Sequence, residues 1–186
     1  MKTILETFKL MKNLPIAKTI QINSNSDLNK IPFPYYMKVS LSVHKLEKKA
    51  VVKIDNLDSA NKEYLRLKKE FPNVPIIIQE LISGTEMIIG LKDDAVFDKL
   101  LLIGFGGTNA EVIKDVQFRA NPSKDEISKA LTQLKLYPVL FKRKKHAIDK
   151  FVDLAYEVSK LNLKELDLNP VILNEKGAFI VDARSN

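Results

Sequence analysis

The sequence predicts an α+β fold, and three observations carry that prediction. Segments with strand-like alternation and segments with helical three-and-four spacing follow one another in irregular order, rather than as the strict alternation of a doubly wound sheet. Two helical patterns open on capping-box spacing, Thr3 with Glu6 and Ser123 with Glu126. The chain ends in two apolar-alternating segments joined by Asn174-Glu175-Lys176-Gly177, a hairpin pattern.

In chain order, Ile4, Phe8 and Met11 follow Thr3 at helical intervals, and Pro15 is expected to end that helix. Strand-like patterns follow at 16–22, 35–41 and 50–54, with polar loops at 23–29 and 42–49. Asp58 is placed to cap a helix bearing Ala60, Tyr64, Leu67 and Phe71. The nearly continuous apolar run 74–82 reads as a buried strand. Strands are expected at 86–91, 99–103 and 111–119, the last after the cluster Gly104-Phe105-Gly106-Gly107. Ile127, Ala130, Leu131 and Leu134 form one apolar helix face, and Ile148, Phe151, Val152 and Ala155 another. No internal repeat or low-complexity segment interrupts the chain.

Composition narrows the function classes. The chain has 186 residues, 45% of them hydrophobic, enough to bury a core as one domain or two small lobes. With no cysteine it has neither a disulfide framework nor a thiol nucleophile, and two histidines make a multi-histidine zinc site a poor fit. The opening residues lack the apolar run of a signal peptide and no segment approaches a membrane span, so a cytoplasmic protein without membrane partners is expected. The net charge of +7 suits anionic partners such as nucleotides, CoA or nucleic acid, and equally a lysine-rich surface. Aromatic residues are not interleaved with the basic ones, which speaks against nucleic acid. His146 reads as an ordinary structural histidine.

The terminal hairpin is the chemically suggestive segment. Glu165-Leu166-Asp167-Leu168-Asn169 alternates strictly, so the three oxygen-bearing side chains share one strand face. Such a face suits a hard cation such as Mg²⁺, and it is also what a solvated face looks like. With Glu175 and Lys176 as the turn centre, Asn169 falls opposite Asp182; a bulge at Gly177 would shift that register by one residue.

Several motifs together resemble the nucleotide-binding β subunit of ADP-forming acetyl-CoA synthetases, within the succinyl-CoA synthetase superfamily. They are Gln79-Glu80 after an apolar strand, the stretch from Gly84 to Gly90, Gly104-Phe105-Gly106-Gly107 with the following Glu111 to Arg119, and Leu166-Asp167-Leu168-Asn169-Pro170 ending in Val181-Asp182-Ala183-Arg184. The resemblance covers nearly the whole chain and is most specific from Gly84 to Arg119. It implies an ATP-grasp fold, with an N-terminal lobe over residues 1–78 and a C-terminal lobe over 79–186 clamping a nucleotide. It implies an acid-thiol ligase subunit that binds Mg²⁺ with ATP or ADP, exchanges a phosphoryl group through a phosphohistidine, and works with a separate CoA-binding α subunit.

Carried over residue by residue, the resemblance makes Lys38 a contact to nucleotide phosphates. Glu80 follows the strand whose backbone reads adenine. Asn169 and Asp182 are magnesium ligands, with Asp167 beside them on the same face. His44 is a phosphoryl acceptor and Lys45 its cationic neighbour. Glu86, Gly106, Gly107 and Arg119 are further candidates for the nucleotide site, although Glu86 equally suits a pair with a lysine, the glycines a tight turn or an approach to the partner subunit, and Arg119 a structural ion pair with Glu111. The chain departs from the family after His44-Lys45, where Leu46-Glu47-Lys48-Lys49-Ala50 replaces a glycine-rich stretch, and at 142–145, which read Lys142-Arg143-Lys144-Lys145. A diverged module that binds nucleotide or a partner without turnover is the alternative reading.

Overall fold

The structure, a computed structural model, describes residues 2–40, 50–107, 113–142 and 146–186. Helix α1 (Ile4–Leu10) begins where expected: Thr3 Oγ1 accepts from Glu6 N (3.3 Å) while the Glu6 carboxylate accepts from Thr3 N (2.8 Å). The helix stops before Pro15, its last turn closed by Met11 N donating to Phe8 O. Its buried side chains Ile4 and Phe8, with Met11, join the larger of the two main cores.

The chain then crosses to a four-stranded antiparallel sheet. Strands β1 (Thr19–Ile22), β2 (Tyr35–Val39), β3 (Val51–Ile54) and β4 (Ile76–Glu80) stand in the order β1-β4-β2-β3. Helix α2 (Leu57–Glu70) lays Ala60, Tyr64 and Leu67 on this sheet. Its cap is Asn56, not Asp58. Asn56 is extended and its side chain accepts from Ser59 N (2.9 Å), which leaves Asp58 in the first turn, where a negative charge meets the positive helix end.

Strand β4, buried along its first four residues, leads directly into the larger sheet; the expected lobe boundary at 78/79 falls inside this strand. The larger sheet contains β5 (Thr85–Asp94), β6 (Asp98–Phe105), β7 (Val116–Ala120), β8 (Glu165–Leu173), β9 (Ala178–Ile180) and β10 (Arg184–Ser185). Its order is β10-β8-β5-β6-β7, with β9 also on β8. Helices α3 (Lys124–Thr132), α4 (Val139–Lys142) and α5 (Ile148–Ser159) complete this half, and buried residues of α3 and α5 pack into the larger core. The Ser123/Glu126 capping box that opens α3 is present.

Of the expected strand 111–119, residues 111 and 112 lie outside the described residues, 113–115 precede β7 and 116–119 lie in it. Asp115 ends the turn before it and is buried (4% exposed), its carboxylate accepting from Lys135 N (2.9 Å) and Leu136 N (2.8 Å). An alternation pattern counts such an aspartate as a solvent-facing strand residue, whereas here it ties the segment after α3 to the β7 edge.

One face of the larger sheet carries the helices and the other is open. Leu166, Leu91, Leu101 and Arg119 are successive partners across β8, β5, β6 and β7, so they lie in one row on the helix side. The adjacent row, Arg184, Asp167, Gly90, Leu102 and Phe118, lies on the open side. No helix among the described residues is long and apolar enough to cross a membrane.

Asp27 closes the short 3₁₀ turn Asn25–Asp27, bonded to Lys30 (2.7 Å) and to Asn23 N (2.8 Å). These contacts, the Lys30 bond first, hold its carboxyl at about 2. A depressed carboxylate stabilises fully above its unfolded value near 4 and loses that contribution as pH falls toward 2. The melting temperature of Asp27→Ala should therefore lie below wild type at pH 7, with the gap closing as pH drops from about 4 toward 2. A gap constant across that window would contradict this role.

Candidate functional site

The site begins with the register of the last hairpin. Asn174 N donates to Gly177 O (2.9 Å), which makes Glu175 and Lys176 the turn centre. Val171 pairs with Ile180 and, beyond the break, Asp167 pairs with Arg184, so no net shift occurs between them. Asn169 therefore stands opposite Asp182, as in the unbulged sequence register.

The irregularity lies on the other flank of β8. Ile89 pairs with Leu168 and Met87 with Val171, so Asn169 and Pro170 together face the single residue Ile88. This bulge is where Pro170, with no N–H to give, is accommodated; Val181 N donates to its carbonyl (3.3 Å). It directs the Asn169 amide oxygen toward Gly106, where a Cβ would come within 3.0 Å of Oδ1.

Gly106 and Gly107 leave β6 against the start of β5. Gly106 N donates to Glu86 O (2.8 Å), and a Cβ on Gly106 would meet Met87 O at 2.7 Å. Gly107 has φ +78, and the exposed Glu86 carboxylate lies where its Cβ would be. Neither position admits a side chain. Thr85, Glu86, Phe105, Gly106, Ile113, Asp115 and Leu136 line a cleft of about 250 Å³ at this end of the sheet.

Lys38 reaches the same region from the smaller sheet. Its ammonium donates to Gln79 Oε1 (2.7 Å) and, across to the hairpin, to Val181 O (3.0 Å). Burial pushes its pKa below the usual lysine value, and the nearby Asp182 carboxylate offsets this in part. Asp182 Oδ1 accepts from Ala183 N (2.9 Å), and Oδ2 lies 3.9 Å from the Arg184 guanidinium.

Thus Lys38, Glu86, Gly106, Gly107, Asn169 and Asp182 gather around the open end of the β5–β6–β8 face. Asp167 is on that face one pair further along β8, between Gly90 and Arg184. Glu80 sits at the crossing between sheets, its carboxylate accepting from Lys18 N (2.6 Å). Arg119 is not part of the group. It projects on the helix side, where its guanidinium donates to Phe118 O (2.6 Å), Gln117 Oε1 (3.3 Å) and Gln133 Oε1. His44 and Lys45 lie outside the described residues, as does Glu111. His146 is structural, as expected: Nδ1 donates to Leu140 O (2.7 Å), and Nε2 then accepts from Thr85 Oγ1 (3.0 Å).

Among the described residues no three His, Cys, Asp or Glu side chains cluster as a self-sufficient metal centre. An amide oxygen and a carboxylate at opposed positions, with Gly106 leaving room beside them, instead match a Mg²⁺ that takes its other ligands from phosphate and water.

Two residues that organise this region lie in motifs that carry the resemblance but were given no role of their own in the sequence. Gln79 is only 1% exposed and bonds both Lys38 and Thr19. Asp115 lines the cleft through a turn that periodicity does not register.

Comparison with known proteins identifies the family and the fold. The sequence profile of the ATP-grasp domain matches residues 9–186. The chain is 30% identical over 174 residues to the β subunit of acetate–CoA ligase [ADP-forming] I of Pyrococcus furiosus, covering 83% of this chain and 75% of that one. It is 38% identical over 121 residues to the β subunit of that organism's acetate–CoA ligase [ADP-forming] II, covering 59% of this chain and about half (51%) of the relative. A Ca. Korarchaeum cryptofilum dinucleotide forming acetyl-coenzyme A synthetase 1, solved with coenzyme A and Mg-AMPPCP, superposes with a TM-score of 0.84 at 26% identity, over 99% of this chain and 92% of that one. In that structure the phosphohistidine segment points towards the nucleotide binding site. The chain belongs to the ATP-grasp domain family, among the relatives of ADP-forming acetate–CoA ligase β subunits.

Proposed function

We propose that this chain is the nucleotide-handling β subunit of an ADP-forming acyl-CoA synthetase, which interconverts acyl-CoA, ADP and phosphate with free acid, CoA and ATP. The observation that carries the reading is the opposition of Asn169 and Asp182 beside the side-chain-free turn Gly106–Gly107, with Lys38 arriving from the other sheet. The names and structures of its relatives support it.

Phosphoryl transfer asks the protein to hold donor and acceptor in line and to offset charge on the nonbridging oxygens. Asn169 Oδ1 and an Asp182 oxygen would hold Mg²⁺, which when bound neutralises part of that charge. Lys38 supplies a fixed positive charge from the opposite side. Gly106 and Gly107 let the backbone come close to the phosphates. Glu80, at the crossing between sheets, places the preceding β4 backbone for adenine. A CoA-binding α subunit supplies the acyl and thiol chemistry.

His44 is the residue proposed to take up the phosphoryl group. Its sequence neighbours Lys45, Lys48 and Lys49 favour the neutral, nucleophilic imidazole and would stabilise the anionic product. The second reading is a nucleotide-binding module without turnover, and the exchange of the family's glycine-rich stretch for Leu46-Glu47-Lys48-Lys49 is what favours it.

Three measurements test these points. In calorimetric titration, Asp182→Ala should weaken Mg-ADP binding by about ten-fold or more while leaving metal-free ADP binding within about two-fold. Equal losses would remove Asp182 as a ligand. The purified chain alone should make no ATP from acyl-CoA, ADP and phosphate, and should gain that activity on adding a CoA-binding α subunit from the same cell; activity from the single chain would refute the division of labour. Radiolabelled ATP given to the complex should leave acid-labile, base-stable label on this chain that vanishes in His44→Asn. Unchanged turnover in His44→Asn would mean that the phosphoryl group travels without it.

A further inference from the structure

Gln79 occupies the centre of the smaller sheet on β4, paired with Thr19 of β1 on one side and Tyr36 of β2 on the other. At 1% exposure it is a buried polar side chain that follows three buried isoleucines in β4 and precedes the half-buried Glu80. A buried amide needs partners for both its ends, and these partners fix which way it points.

Thr19 Oγ1 donates to Ala17 O (2.7 Å), so toward Gln79 it can only accept. Gln79 Nε2 donates to it (2.8 Å). Gln79 Oε1 is thereby turned to Lys38, two residues along β2 from its paired position, and takes the ammonium at 2.7 Å. The donors run in one direction from the Lys38 ammonium through Gln79 and Thr19 to the Ala17 carbonyl, and a second Lys38 N–H donates to Val181 O at 3.0 Å. Two of the three ammonium donors are thus held by partners that carry no charge.

The neutrality of those partners matters. A carboxylate at position 79 would hold Lys38 equally well but would cancel its charge toward an anion. An apolar residue would preserve the charge but release the four-carbon stem, whose rotamer freedom is large. An amide fixes the ammonium without adding a second carboxylate to the nearby Asp182.

We propose that Gln79 is a positioning residue: oriented by Thr19, its amide aims the Lys38 ammonium at the phosphates of a bound nucleotide. This rests on the reading of Lys38 as a phosphate contact, and the experiment separates the two. Mg-ADP binding is measured calorimetrically for the full chain, Gln79→Leu, Lys38→Met and the double variant, as a double-mutant cycle. Gln79→Leu should weaken binding about ten-fold, and the same change in the Lys38→Met background should alter it less than about two-fold. Gln79→Glu should weaken it as well, although it restores an acceptor.

Additive losses would reduce Gln79 to a structural role and overturn the inference. If Lys38→Met weakens binding and Gln79→Leu does not, the inference fails while the reading of Lys38 stands. If Lys38→Met has no effect, the reading of Lys38 fails first. Should Gln79→Leu not fold, Thr19→Val and Thr19→Ser complete the same cycle. The serine keeps the hydroxyl and should bind as wild type. The valine loses it and should weaken binding only while Lys38 is present; equal binding by both would overturn the inference.

Discussion

The arrangement depends on one local constraint, the bulge at which Asn169 and Pro170 of β8 stand opposite Ile88 alone. A regular ladder there would require an N–H that proline lacks. Because β8 also pairs with β9 and β10, the bulge acts on three neighbours at once. On the β5 side it turns Asn169 toward Gly106. On the β9–β10 side the ladder is interrupted through Val181, Asp182 and Ala183, then resumes in the same register. Those interrupted residues are the ones that meet the smaller sheet: the Val181 carbonyl takes Lys38, and Asp182 lies beside its ammonium.

Electrostatics at this point are asymmetric in a useful way. A lysine taken out of water is costly unless its donors are satisfied and opposite charge is near. Lys38 has two neutral acceptors at hydrogen-bond distance and one carboxylate close by, so its charge is tolerated and not cancelled. The overall charge of +7 raises the potential felt by any anion, but it does so without direction. Direction comes from the few cations that packing holds still, and Lys38 is one of them.

What the sequence disclosed follows from how local each feature is. Capping boxes at Thr3 and Ser123 are four-residue patterns and were readable, as were the apolar faces of α3 and α5. The register of the last hairpin was readable to within one residue because a four-residue turn fixes it. Asn56 displaced Asp58 as a cap because both residues satisfy the same local preference and only the backbone path separates them. The bonds of Asp115, of Gln79 and of Arg119 on the helix side depend on residues that meet only after the sheets form. No spacing rule reaches across 41 positions from Lys38 to Gln79, or 143 from Lys38 to Val181.

The crossing between sheets shows why such a site belongs at this place in the fold. The chain passes between the two halves twice here, in the segment after α1, whose Ala17 N donates to Ile180 O (2.9 Å), and in the link from β4 to β5; Val181–Ala183, between β9 and β10 of the larger sheet, lies against that crossing. They share a small apolar cluster of Ala17, Ile172, Val181 and Ile82. Each sheet has its own large core, and Ile77, on the other face of β4, packs into the larger one, so apolar packing also joins the halves. A ligand at the crossing would meet Lys38 from the smaller sheet and the Asn169–Asp182 hairpin from the larger one, so its contacts on the two sides are satisfied together only because the Lys38–Val181 bond and the packing of Ile77 hold the sheets in this arrangement.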